Sequence, residues 1–134
     1  MRMQNTVYTT SWDEIVESYR KQVIHDYSRE PMVEFSQEVA TSRYSAGLYP
    51  CRSMATLLIG QTPNFEWMRE VIHVEYLPKD NSFHFDFWES PVAVRHWSRE
   101  CAPSEAFAVF ERLLRAKRWF LDVDSVAKAD TKAV

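Results

Sequence analysis

Glycine is nearly missing from this sequence: of 134 residues only Gly47 and Gly60 are glycine, and they lie thirteen positions apart. Phosphate-binding loops and dinucleotide fingerprints need several closely spaced glycines so that backbone can approach a phosphate. Those modes of nucleotide binding are therefore excluded. Cysteine is equally scarce. Cys51 and Cys101 make neither a CxxC pair nor a disulfide framework, and they read as small apolar side chains. There is no G-x-S-x-G elbow and no H-E-x-x-H pair, so the common hydrolase and zinc-protease signatures are absent. The longest apolar stretch, around Met54 to Ile59, is far too short to span a bilayer. The opening residues Met1 to Thr6 carry no apolar signal region. The expectation is a cytoplasmic protein with no membrane partner.

Apolar residues are plentiful. Hydrophobic residues make up 46% of the chain and aromatic residues 14%, enough for a core that needs neither disulfide nor metal. The length fits one domain spanning 1–134, with a small, polar, loosely ordered tail over about 124–134. The net charge is −3, unevenly spread: residues 1–89 hold 8 Lys or Arg against 13 Asp or Glu, and residues 90–119 hold 6 against 3. Direct binding to nucleic acid requires a concentrated basic surface and is not expected. An acidic face suits a basic protein partner.

Along the chain, Thr6 to Tyr8 suggests a short strand. Ser11 is a suitable N-cap with Glu14 three residues on, and Trp12, Ile15, Val16, Tyr19, Val23 and Tyr27 keep helical spacing. This predicts a helix over 12–27 that ends before Pro31. Val33, Phe35 and Val39 alternate with polar residues and suggest a strand; 43–49 is ambiguous; Met54 to Ile59 reads as a buried strand. Residues 92–101 fit a strand or a short helix, and Pro91 tips the reading to helix. From Ser104, the residues Phe107, Phe110, Leu113, Leu114 and Trp119 or Phe120 share a helical face. The expected fold class is α+β: an antiparallel four- to five-stranded β-meander flanked by an N-terminal and a C-terminal helix.

The sharpest local signal is a hairpin. Ile72, Val74 and Tyr76 alternate with His73 and Glu75, and Phe83, Phe85 and Phe87 alternate with His84 and Asp86. Pro78-Lys79-Asp80-Asn81 supplies turn residues between them. A tight turn sets Tyr76 opposite Phe83, Val74 opposite Phe85 and Ile72 opposite Phe87, all on one face. The other face then carries His73 opposite Asp86 and Glu75 opposite His84, a rectangle of roughly 5 by 7 Å. Imidazole and carboxylate can bind divalent metal, act as acid and base, or form exposed ion pairs. No nucleophile or oxyanion donor can be placed beside them, so no catalytic, cofactor-binding or metal residue is assigned. Trp88 ends the same face, where an aromatic beside acidic groups suits an interface.

Small size, acidity, a helix–meander–helix plan and the segments Val71 to Tyr76, Phe83 to Trp88 and Ser104 to Phe120 together resemble bacterial immunity proteins of contact-dependent inhibition and related polymorphic toxin systems. The resemblance is one of overall character. It implies a toxin inhibitor: stoichiometric binding to a cognate toxin domain, often a basic nuclease, with its active site occluded. Acidic side chains would then stand where substrate phosphates go. The candidate partner-binding residues are Glu75, Asp80, Asp86 and Glu89, with His73, His84 and Trp88 beside them. Two alternatives remain open at this point. One is a secretion chaperone or adaptor, although those chaperones interrupt their sheet with a helix. The other is a small metal-dependent enzyme built on His73, Glu75, His84 and Asp86. Which face the last helix covers decides whether the patch is available at all.

Overall fold

The structure is a computed structural model that describes residues 6–24, 29–66, 70–88 and 97–119. Elements run in the order β1 (Thr6–Tyr8), α1 (Trp12–Val23), α2 (Glu30–Thr41), β2 (Tyr49–Ser53), β3 (Thr56–Gly60), β4 (Asn64–Glu66), β5 (Val71–Leu77), β6 (Ser82–Trp88), β7 (Trp97–Cys101) and α3 (Ala106–Ala116). Short 3-10 turns at Arg43–Ala46 and Pro103–Glu105 precede β2 and α3. The chain is α+β, with five antiparallel strands ordered β2-β3-β5-β6-β7 and a small β1-β4 pair.

α1 starts where its cap predicts: the Glu14 N–H donates to Ser11 Oγ at 3.1 Å, satisfying one of the unpaired donors of the first turn. It ends at Val23, earlier than the spacing suggested; His25 and Tyr27 lie outside the described residues. The segment expected to be a strand near Val33 is instead the helix α2. Its buried residues Met32, Val33, Phe35, Ser36 and Val39 recur at helical spacing, and the Val33/Phe35 alternation is a fragment of that pattern. Pro31 starts this helix, where its missing N–H costs nothing, and so marks a beginning as well as the stop of the preceding segment. The helix expected over 92–101 is corrected in its described part: Trp97–Cys101 is the edge strand β7, paired with β6, and 92–96 lie outside the described residues. Met54, expected inside a strand, is the 91% exposed tip of the β2–β3 hairpin, with φ of 56°. Two-residue hairpin turns demand positive φ, and the chain meets that demand here without glycine.

The β5–β6 register is the expected one, including Val74 with Phe85, His73 with Asp86 and Glu75 with His84. Ile72, Val74, Tyr76, Phe83, Phe85 and Phe87 are all buried. α1, α2 and α3 all lie on that face. The Phe35 ring from α2 sits 5.5 Å from Phe83, 5.6 Å from Phe85 and 5.5 Å from Phe110 of α3, and Phe87 meets Trp119 at 5.6 Å. Each buried phenylalanine contributes about 1.5–3 kcal/mol of transfer free energy, which makes this aromatic seam the main tie between sheet and helices. Arg52 binds α1 to β2 from the same side. Its guanidinium donates to Ser18 O at 3.0 Å and to Gln22 Oε1, and covers the Tyr19 ring at 4.4 Å.

Among the described residues, the opposite face of the sheet is covered at one end only. Leu58, Phe65 and Val71 form a second buried cluster with Cys51 at its margin, roofed by the β1–β4 pair. Gly60 has to be glycine here, because a Cβ would run into the Phe65 ring.

Candidate functional site

With the helices on the phenylalanine face, alternation along β5, β6 and β7 turns a second set of side chains outward: His73, Glu75, His84, Asp86, Trp88, Ser98 and Glu100. No lysine or arginine occupies an outward position on these strands. The face is a shallow acidic surface with Trp88, 37% exposed, at one end.

The interactions inside this surface differ from the expected rectangle. His84 does not pair with Glu75. Its Nε2 lies 3.0 Å from Ser98 Oγ and 3.7 Å from Asp86 Oδ1, and its Nδ1 lies 3.9 Å from Glu100 Oε1. β6 is an interior strand, and the sequence reading placed only one of its two neighbours. Once β7 is recognised as a strand, Ser98 falls opposite Asp86 and Glu100 opposite His84. Glu75 is exposed and makes no ion pair among the described residues. His73 leans on Trp88, ring centroids 5.4 Å apart and tilted by 41°. Its Nε2 is buried without a hydrogen-bond partner among the described residues. Burial lowers the His73 pKa below its ordinary value, with the Asp86 charge opposing that shift, so the ring favours its neutral form.

Of the seven expected residues, the outer face brings together His73, Glu75, His84, Asp86 and Trp88. Asp80 is exposed in the Pro78–Asn81 turn, at the end of the hairpin away from Trp88, and does not join them. Glu89 lies outside the described residues, as do His96 and the 124–134 tail. Ser98 and Glu100 are the additions that sequence reasoning missed. The signal for them was period-two spacing, Trp97-Ser98-Arg99-Glu100-Cys101, too polar on both faces to stand out.

Ser98, His84 and Glu100 have the order of a nucleophile, a base and an orienting carboxylate, but not the geometry. The Glu100 contact is too long for a hydrogen bond. Backbone N–H groups of interior strands are also spent in the ladder, so β5 and β6 offer no pair of oxyanion donors. Among the described residues, no group of three or more His, Cys, Asp and Glu is placed to hold a metal ion. Both thiols are pushed up by burial, Cys101 also by the Glu105 charge, which works against the thiolate that nucleophilic chemistry needs. An open groove of about 510 Å³ runs between α1 and β2, walled in part by Tyr8, Ile15, Cys51 and Met54. Arg52 in its wall is committed to Ser18, Gln22 and Tyr19. No helix is long and apolar enough to cross a membrane among the described residues.

Compared with known proteins, the chain matches no family model, no curated protein and no solved structure.

Proposed function

We propose that this protein is a protein-binding module that docks a basic protein surface on the outer face of β5, β6 and β7, and that it acts as an immunity protein, neutralising a cognate bacterial toxin domain by covering its active site. The observation that carries the reading is the charge pattern of that face: Glu75, Asp86 and Glu100 point outward, and among the described residues of these strands no lysine or arginine does. A nuclease or other basic toxin binds phosphate through clustered cations, and a rigid surface of carboxylates offers those cations an alternative. The interior strands β5 and β6 hold Glu75 and Asp86 in place and the edge strand β7 holds Glu100, so less conformational entropy is lost on binding than a flexible acidic loop would lose. Trp88 adds an aromatic anchor at the rim. The secretion-chaperone reading expects a helix inserted in the sheet, and among the described residues no α-helix falls between β2 and β7. The metal-enzyme reading lacks a ligand set among the described residues.

The test is affinity capture from lysate of the source organism at low and moderate salt, with wild type and the Glu75→Lys/Asp86→Lys/Glu100→Lys variant run side by side. One stoichiometric basic partner should be held by wild type and lost by the variant. Equal retention by both would rule out this face as the docking surface.

A further inference from the structure

β2 ends the five-stranded sheet on the side away from β7, and one position of its outer edge is already in use. Ser53 pairs with Thr56 across the two-residue turn Met54-Ala55, so Ser53, Cys51 and Tyr49 spend their backbone groups on β3. Pro50 and Arg52 alternate with them and turn theirs outward. In keeping with that alternation, the Thr10 N–H donates to Pro50 O at 2.9 Å, and proline has no N–H to leave unmet. Arg52 is the remaining position. Its N–H faces away from β3. Its carbonyl has the Cys51 thiol at 3.8 Å, a weak donor, and no backbone partner from a turn or loop among the described residues.

The open groove of about 510 Å³ between α1 and β2 lies along this position. Side chains alternate across a sheet: Cys51 turns to the Leu58 cluster, and Arg52 turns to Ser18 and Gln22 of α1. A groove that touches both Cys51 and Arg52 therefore straddles the strand edge. Its walls are described residues throughout. Ile15 lies on the helix side, and Tyr8 and Met54, 66% and 91% exposed, stand at the rim. Glu14 is the carboxylate in the wall; it is exposed and forms no ion pair among the described residues.

We infer that the groove is a peptide slot: a short extended segment of another protein adds to the edge of β2, exchanging main-chain hydrogen bonds with Arg52 and seating a lysine or arginine against Glu14. This site is separate from the outer face of β5, β6 and β7 and does not depend on the reading of that face. Strand addition takes its affinity from main-chain bonds and its selectivity from alternate side chains. The incoming residue opposite Arg52 points to the same side as Arg52, toward α1. There an aliphatic stem crosses Ile15 and a cation reaches Glu14, while the Arg52 guanidinium is held by Ser18 and Gln22, farther along α1. The residues on either side point the other way, toward Tyr8 and Cys51, and are apolar. Because Thr10 holds the Pro50 position, the added strand spans about three residues.

NMR on the isotope-labelled full chain tests this, first without peptide. The Arg52 amide should exchange quickly with solvent and the Cys51 amide slowly. An Arg52 amide as protected as Cys51 would mean that the edge is already covered, and overturns the inference. Three end-blocked peptides are then titrated in: Gly-Val-Lys-Val-Gly, the same peptide N-methylated at lysine, and Gly-Val-Glu-Val-Gly. The lysine peptide should bind in the millimolar range, shift the Tyr8, Cys51 and Arg52 resonances and slow exchange at Arg52. N-methylation removes the main-chain donor and should weaken binding about three- to tenfold. Glutamate in place of lysine should weaken it about two- to fivefold, and Glu14→Gln should erase that difference. Equal binding of the N-methylated peptide, or no shift at β2 with any peptide, overturns the slot. A lysine–glutamate difference that survives Glu14→Gln overturns the role of Glu14.

Discussion

His73 and Trp88 sit diagonally across the β5–β6 ladder with their rings 5.4 Å apart, and His73 Nε2 is buried with no hydrogen-bond partner among the described residues. A histidine in that position resists protonation, so its folded-state pKa lies below the ordinary 6.5. Below about 6.5 the unfolded chain then binds the proton more readily than the folded one. The stability held with neutral His73 is complete above the unfolded value and is lost as pH falls from there through the folded pKa. Thermal unfolding of wild type and His73→Phe should therefore diverge between pH 7.5 and pH 5, the variant losing less. Parallel curves would mean that His73 takes up its proton as freely folded as unfolded.

Gly60 is tied to Phe65 by the absence of a side chain. Gly60→Val should destabilise the fold by about 1–3 kcal/mol, as overpacking does, and should lift the β1–β4 pair off Leu58 and Val71. The double variant Gly60→Val/Phe65→Ala should cost less than the sum of the single changes. Denaturant unfolding of the four proteins measures this, and strict additivity would contradict the contact.

Arg52 donates to Ser18 and Gln22 on α1 and to Met54 O in the hairpin turn while lying over Tyr19. Lysine carries the charge but not the fork. Arg52→Lys should lower stability by about 1–3 kcal/mol, the range for hydrogen bonds to charged groups, and should raise amide exchange at the C-terminal end of α1. A loss no larger than that of an exposed substitution would show that the α1–β2 junction does not depend on it.

Glu38 on α2 is held above its ordinary pKa by partial burial and then by the neighbouring Glu111 and Glu34 charges. A raised carboxylate favours the fold below its unfolded value and opposes it as pH climbs through the folded pKa. Glu38→Gln should raise the midpoint of thermal unfolding at pH 7, by an amount within the ±0.5 kcal/mol usual for surface changes, and the gain should fade toward pH 4.

The β5–β6 hairpin was legible down to its register because apolar and polar residues alternate without a break and the turn residues leave one alignment. The same alternation misled at Val33 and Phe35, where a few period-two residues sit inside a helical stripe completed by Met32, Ser36 and Val39. Trp97–Cys101 was unreadable as a strand because an edge strand meets the core along one side only. Its outward residues are polar, and Arg99 on its helix side is exposed too. That one missing neighbour also explains the wrong partner for His84. A residue on an interior strand has two strands beside it, and the choice between Glu75 and Glu100 depends on side-chain packing that spacing does not encode. The aromatic core was visible as composition, but the face that α3 would cover was not, since either face could in principle receive it.

The central claim is that the partner binds the outer face of β5, β6 and β7 and not acidic protein in general. Calorimetric titration of the captured partner onto three proteins tests it: wild type, Asp86→Lys/Glu100→Lys on the outer face, and Glu34→Lys/Glu38→Lys on the helix side, an equal change in charge. The outer-face variant should lose affinity by at least about 10-fold, a difference of about 1.4 kcal/mol, while the helix-side variant stays close to wild type. Equal losses in both variants would contradict the claim and reduce the interaction to net charge.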